Sequence, residues 1–150
     1  IGEFSPAVVV NAAAYTDVDG CETNRDACFA VNAEGILNVA VACRDRGAKV
    51  VHYSTDYVFD GTKGEPYLED DPCRPINTYG ASKRKGEEHL IETLENHVLI
   101  RTAWLYGRQG KNFVKAILAK AREEGVLRVV DDQVGSPTCS LDLAQATKIL

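Results

Sequence analysis

An α/β fold with a parallel sheet is predicted by three features of this sequence. Short apolar runs suited to strands, Ala7–Ala13, Ala48–Ser54 and His97–Thr102, recur along the chain. Stretches with apolar residues at spacings of three and four lie between and after them. Small or polar residues stand wherever a run ends. Strands that alternate with helical patterns favour a parallel sheet joined by crossover helices.

Ile1–Pro6 reads as the tail of a connection. Ala7–Ala13 is uninterrupted and β-prone, which predicts a strand covered on both faces. Ala12, Ala13 and Ala14 then supply small side chains where strand gives way to loop. Those residues fit either a ligand lying flat on the backbone or tight helix–sheet packing. A short helix is predicted over Asn24–Val31 and a longer one over Ala33–Arg46, with Ile36, Leu37, Ala40 and Val41 along its apolar face. Asn32 falls where the two meet, as a cap for the second or a brace for the neighbouring strand. Gly47 is a helix stop.

Ala48–Ser54 is the second strand, ending in Ser54-Thr55-Asp56. Tyr57–Thr78 is a long irregular stretch with three prolines and the acidic run Glu69-Asp70-Asp71, read as solvated rather than metal-binding. Loops of this length inside a domain are usually functional. Asn77 or Thr78 is placed to cap the next helix. Gly86 lies within that helix, where glycine costs about 1 kcal/mol relative to alanine; it predicts close approach of another element. His97–Thr102 is a strand. Trp104 follows it, as core or as the wall of a substrate site, with core favoured by the residues alone. Lys111–Glu124 is an amphipathic helix, Val126–Val130 a short strand, residues 131–138 a polar turn, and Ser140–Leu150 a last helix.

The candidate chemistry lies at Thr55, Tyr79 and Lys83. Tyr79 and Lys83 are four apart in a helical pattern and so share a face. An ammonium beside a phenol favours phenolate and lowers the tyrosine pKa from about 10. A tyrosine tuned in this way exchanges a proton with a carbonyl or alcohol near neutral pH. Thr55, at the end of a strand, is placed to hydrogen-bond the same oxygen. Open α/β sheets put their ligands at the carboxyl ends of strands. The combination points to hydride transfer to a ketone.

Composition narrows the alternatives. A chain of 150 residues is long enough for one domain with a core. Its 45% hydrophobic and 26% charged residues are ordinary for a soluble globular protein. A net charge of −5 argues against a nucleic-acid partner. No apolar run reads as long enough to cross a bilayer, so no membrane is expected. The five cysteines, at 21, 28, 43, 73 and 139, show no C-x-x-C and no zinc spacing with histidine, which predicts reduced thiols in a cytoplasmic protein and no metal site. His52, His89 and His97 share no spacing and read as structural.

The segments V-V-V-N-A-A-A-Y-T, S-T-D-Y-V-F-D-G, Y-G-A-S-K, R-T-A-W-L-Y-G and V-D-D-Q-V-G-S-P-T occur in this order along nearly the whole chain. Together they resemble the dTDP-4-dehydrorhamnose reductases, members of the extended short-chain dehydrogenase/reductases. The resemblance implies a Rossmann-like domain and NAD(P)H-dependent reduction of the C4 ketone of a dTDP-4-dehydro-6-deoxy sugar, giving dTDP-rhamnose. It implies catalytic roles for Thr55, Tyr79 and Lys83 and cofactor contacts from Ala14, Tyr15, Thr16, Tyr79 and Lys83. Thr55, Asp56 and Trp104 are implied to meet the sugar nucleotide, and Asn112-Phe113 to lie near its nucleotide part. NADPH is the expected hydride donor, with NADH the alternative. Some members use magnesium, but no carboxylate cluster stands out here as its ligand set.

Two other functions fit the same residues. One is a nucleotide-sugar epimerase or dehydratase of the same superfamily. The other is a non-catalytic NADP-binding regulatory subunit of methionine adenosyltransferase. The D-D-Q-x-G-S-P-T turn favours the reductase, and intact Thr55, Tyr79 and Lys83 favour catalysis. No G-x-G-x-x-G or G-x-x-G-x-x-G occurs in the sequence, whereas such a turn normally cradles a dinucleotide's pyrophosphate. The chain is therefore expected to be an internal piece: residues 1–150 as a partial Rossmann-like domain running into the start of a substrate-binding part, with little activity by itself. A sheet edge uncovered in this way invites self-association, as a homodimer or a swapped assembly.

Overall fold

The computed structural model describes residues 1–150 as two compact units, Ile1–Arg101 and Thr102–Leu150. The first holds a three-stranded sheet of β1 (Val8–Asn11), β2 (Lys49–Thr55) and β3 (His97–Thr102), in the order β1-β2-β3. β1 and β2 run parallel, with Val8 opposite Lys49 and Asn11 opposite His52. β2 is the central strand, and Val50, Val51, His52, Ser54 and Thr55 are all buried.

β1 is not covered on both faces. Val9 packs against the core, but Val8 is 49% and Val10 54% exposed. Successive strand residues point to opposite faces, and the helices of this unit cover only the Val9 side.

The helical region differs from its sequence-based outline. α1 (Val18–Thr23) was not foreseen; the Asp17 carboxylate caps it, accepting from Gly20 N at 3.0 Å. α2 (Arg25–Phe29) passes through a π-helical turn, Ala30–Glu34, into α3 (Gly35–Arg44) without a break. Asn32 therefore lies inside the helix and does not cap it. A π turn carries an extra residue, and Asn32 is directed inward there. The run Arg25–Arg44 also corrects the expectation that no run is long enough: over its most apolar 18 residues the mean hydropathy is 1.3, so it is long and apolar enough by length and composition to cross a membrane. One face of it packs into the core here, with Cys28, Ala33, Ile36, Ala40 and Cys43 buried.

α4 (Thr78–Thr93) begins at Asn77, whose side-chain oxygen accepts from Gly80 N at 2.7 Å. The core joins α3 (Ile36, Ala40, Cys43), Ala48 and Val50 at β2, and Leu90 and Leu94 at the end of α4. α3 and α4 approach closely at Gly86, where a Cβ would run into the Asn32 carbonyl oxygen. Between β2 and α4, a 3-10 turn at Asp56–Val58 leads into the long loop. Phe59 stacks on Tyr67 with centroids 4.2 Å apart. Asp71 pairs with Lys63 and accepts from Leu68 N, so the acidic run is partly tied down rather than simply solvated.

In the second unit β4 (Leu105–Tyr106) pairs in parallel with β5 (Thr138–Cys139). α5 (Phe113–Glu124) is capped by Asn112, which accepts from Lys115 N at 3.1 Å, and stops at Gly125 with φ 69°. α6 is Ser140–Thr147. Val126–Val130 is not a strand: Val126, Val129 and Val130 are 73%, 55% and 65% exposed. β propensity without a neighbouring backbone to pair does not make a strand.

Candidate active site

Because β1 and β2 are parallel, their carboxyl ends open on the same edge of the sheet. β1 leads there to Ala14, Tyr15 and Thr16, and β2 to Thr55 and Asp56. Asn32 fixes the first of these loops. Tyr15 N donates to its Oδ1 at 2.8 Å, and its Nδ2 donates to Tyr15 O at 3.1 Å and lies 3.0 Å from Ser82 Oγ on α4.

Thr55 is 5% exposed. Its hydroxyl donates to Asp56 Oδ1 at 3.1 Å and accepts from Tyr57 N at 3.2 Å, which caps the 3-10 turn. Tyr79 stands in the first turn of α4, its ring edge-on to Tyr57 with centroids 5.6 Å apart. Gly80 lets this turn approach the strand end, since a Cβ there would strike the Tyr57 carbonyl. Glu22 anchors the same helix end, accepting from both the amide and the hydroxyl of Thr78 at 2.8 Å.

Burial pushes the Tyr79 phenol above its ordinary pKa, and the Thr55 hydroxyl is the leading influence the other way. The spacing argument gave that lowering to Lys83. Lys83 instead turns into the sheet: it is 2% exposed, donates to Tyr53 O at 2.6 Å and lies 3.4 Å from His52 Nε2. Burial pushes its pKa down to about 8, against the attraction of Glu87. Glu87, fully buried one turn further along α4, is gripped by Arg101 through two bonds of 3.0 and 2.8 Å and by Arg84 at 3.0 Å. Burial opposes its charge, but the Arg101 hydrogen bonds hold its pKa below the usual carboxylate value.

In the second unit Trp104 adopts φ 47°. Its indole lies against Gly135, where a Cβ would come within 2.8 Å of the ring. The D-D-Q-V-G-S-P-T turn and the tryptophan are thus one local structure, a link that their separation in sequence hides. Asn11, Glu22, His52 and Glu87 were not singled out as functional from the sequence. Only His52 carried a signal, as an ionisable residue in an apolar strand.

Residues 1–150 match the family model described as the RmlD substrate binding domain. The chain belongs to that family. It is 48% identical over 145 residues to the spore coat polysaccharide biosynthesis protein SpsK of Bacillus subtilis, covering 97% of this chain and 51% of SpsK. It is 46% identical over 147 residues to the dTDP-4-dehydrorhamnose reductase of Burkholderia thailandensis, covering 98% of this chain and 49% of the reductase. A crystal structure of dTDP-4-dehydrorhamnose reductase from Bacillus anthracis, in complex with NADP, superimposes with TM-score 0.95 at 45% identity, over 99% of this chain and 53% of that one. The chain spans about half the length of the relatives it matches. The expected Rossmann-like α/β class agrees with these RmlD-family neighbours.

Proposed function

We propose that the protein carrying this chain is an NADPH-dependent reductase of the C4 ketone of dTDP-4-dehydro-L-rhamnose, and that Thr55, Tyr79 and Lys83 carry the chemistry. One observation carries the reading: Thr55 and Tyr79 come together at the carboxyl end of the central strand, with Lys83 on the same helix as Tyr79. NADP in the Bacillus anthracis relative supports the cofactor class.

The residues present fit the nicotinamide end of such a cofactor. Tyr15 offers a loop already pinned by Asn32, and Lys83 supplies a buried cation at the Tyr53 carbonyl of β2. The phosphate-cradling glycine turn is not among these residues. No three His, Cys, Asp or Glu side chains converge, so no ready-made metal cage supports magnesium here. The bound cofactor supplies hydride. The chain's own residues then manage the charge that arrives on the ketone oxygen. A buried Tyr79 with a raised pKa remains a phenol at neutral pH, the form needed to donate a proton to an alkoxide. Thr55, once its hydroxyl turns from Asp56 Oδ1, donates a second hydrogen bond to that oxygen. Lys83 holds a positive charge below pH about 8. Asp56, at the carboxyl end of β2, orients the sugar nucleotide. The five cysteines are all free thiols, which supports a cytoplasmic location for the enzyme.

The test is NADPH oxidation, followed by absorbance, with dTDP-4-dehydrorhamnose and the full gene product. Turnover by the wild type and a loss of about 10²–10⁴-fold in Tyr79→Phe are expected. A wild-type protein that binds NADPH but turns nothing over would sink the reading in favour of a regulatory subunit.

A further inference from the structure

We infer that His52 is a positioning residue for Lys83, holding the amine at the Tyr53 carbonyl and matching its protonation state by exchange of tautomer against Asn11. The inference rests on the reductase reading above for its catalytic meaning, but its geometry stands apart from that reading.

His52 is 1% exposed at the centre of the sheet. Its Nε2 lies 3.4 Å from Lys83 Nζ and its Nδ1 3.0 Å from Asn11 Nδ2, directly across the β1–β2 register. A neutral imidazole has one donor and one acceptor, an ammonium only donors. When Lys83 is an ammonium, Nε2 must accept, so Nδ1 carries the hydrogen and Asn11 must present its oxygen. When Asn11 presents its NH₂, its oxygen is free for the Ala13 amide, which it meets at 3.3 Å. Nε2 then carries the hydrogen and points at Lys83 as a neutral amine. The Asn11 amide orientation, the His52 tautomer and the Lys83 charge are therefore coupled.

The surrounding charges leave Lys83 as the group that titrates. From α4 it is faced by Glu87, which is itself held by Arg101 of β3 and Arg84 of its own helix. From β2 it is faced by His52, which burial and Lys83 keep neutral by pushing its pKa down to about 3. Lys83 thus depends for its place on the Tyr53 carbonyl and, in the state where Nε2 is the bare nitrogen, on this ring as a second acceptor.

The test compares His52→Gln, His52→Asn and His52→Leu in the full gene product. Gln reaches the position of Nε2 and keeps an acceptor for Lys83; Asn reaches only the position of Nδ1; Leu offers neither. Two readouts are taken: the alkaline limb of the pH profile of reduction, and the pH dependence of Lys83 acetylation by acetic anhydride, read by peptide mass spectrometry. His52→Gln is expected to keep both where they are. His52→Asn and His52→Leu are expected to move both to lower pH by about one unit, the tenfold effect of one lost hydrogen bond to a charged group. Identical midpoints in all three variants, or loss of folding in the Gln variant as in the others, overturns the proposal and leaves His52 a packing residue. Absence of reductase activity in the wild type overturns the function instead, and the labelling still decides His52.

Discussion

Asn32 grips both polar groups of the Tyr15 backbone, accepting from its N–H at 2.8 Å and donating to its carbonyl at 3.1 Å. The pairing ties the loop after β1 to a helix seventeen residues later in the sequence. Asn32 is only 2% exposed. Removing it leaves part-buried backbone groups unsatisfied, at about 1–3 kcal/mol each where water does not reach them. Asn32→Ala is expected to lose about 2–4 kcal/mol of stability in urea unfolding. It is also expected to weaken NADPH binding at least tenfold, because Tyr15 would have to be ordered on binding. Unchanged cofactor affinity would mean that this loop does not touch the cofactor.

Gly86 supplies a prediction whose sign is diagnostic. In an exposed helix interior, alanine is favoured over glycine by about 1 kcal/mol. Here a Cβ would collide with the Asn32 carbonyl and come within 2.9 Å of the Ile36 side chain. Gly86→Ala is therefore expected to destabilise by about 1–3 kcal/mol, the usual cost of overpacking. A stabilised variant, by thermal melting, would show that α3 and α4 sit further apart than this.

The contrast between Gly86 and Lys83 shows what was legible in the sequence. Local signals carried through: β3 has the expected limits, Asn77 caps α4, and Gly86 marks a helix contact. Spacing placed Tyr79 and Lys83 on one helix face but says nothing of what faces that helix. Lys83 meets Tyr53 O because β2 lies beneath it, which only the tertiary fold decides. His52 likewise acquires its meaning from Asn11, forty-one residues away in sequence. The failed strand at Val126–Val130 is the converse: a strong local preference with no neighbour to pair.

Glu87 and Arg101 form the most enclosed ion pair of the chain, with side chains 0% and 19% exposed. Arg101 also donates to Glu69 O at 3.1 Å and lies over the Phe59 ring, so the pair anchors the long loop as well as α4. Breaking such a pair by removing one partner typically costs about 3–5 kcal/mol. Glu87→Ala is expected to fall in that range and to expose the 57–77 loop to proteolysis. Glu87→Gln, which keeps the shape and part of the hydrogen bonding, is expected to cost less. If limited proteolysis cuts both variants no faster than the wild type, the loop is held by other contacts.

Acid stability separates His52 from the carboxylates. Its folded pKa lies at about 3, below its ordinary 6.5. Between those values the unfolded chain binds a proton that the folded protein refuses. Stability therefore falls as pH drops below about 6.5, by up to about 1.4 kcal/mol per unit. Glu87 and Glu22 both have folded pKa values below 4.5, Glu87 through Arg101 against its burial and Glu22 chiefly through the Thr78 amide. Their contribution is fully present above 4.5 and is lost as pH falls through the depressed folded values. Two regimes follow: a slope beginning near pH 6.5 from His52, and a steeper one below 4.5 in which the carboxylates join. Urea midpoints at pH 7.5, 5.5 and 4.0 are expected to show both in the wild type. His52→Gln is expected to flatten the first regime and leave the second. A wild-type midpoint that does not change between pH 7.5 and 5.5 would mean that His52 takes up its proton inside the fold, and with it a charge beside Lys83 that the Asn11–His52–Lys83 arrangement has no acceptor to absorb.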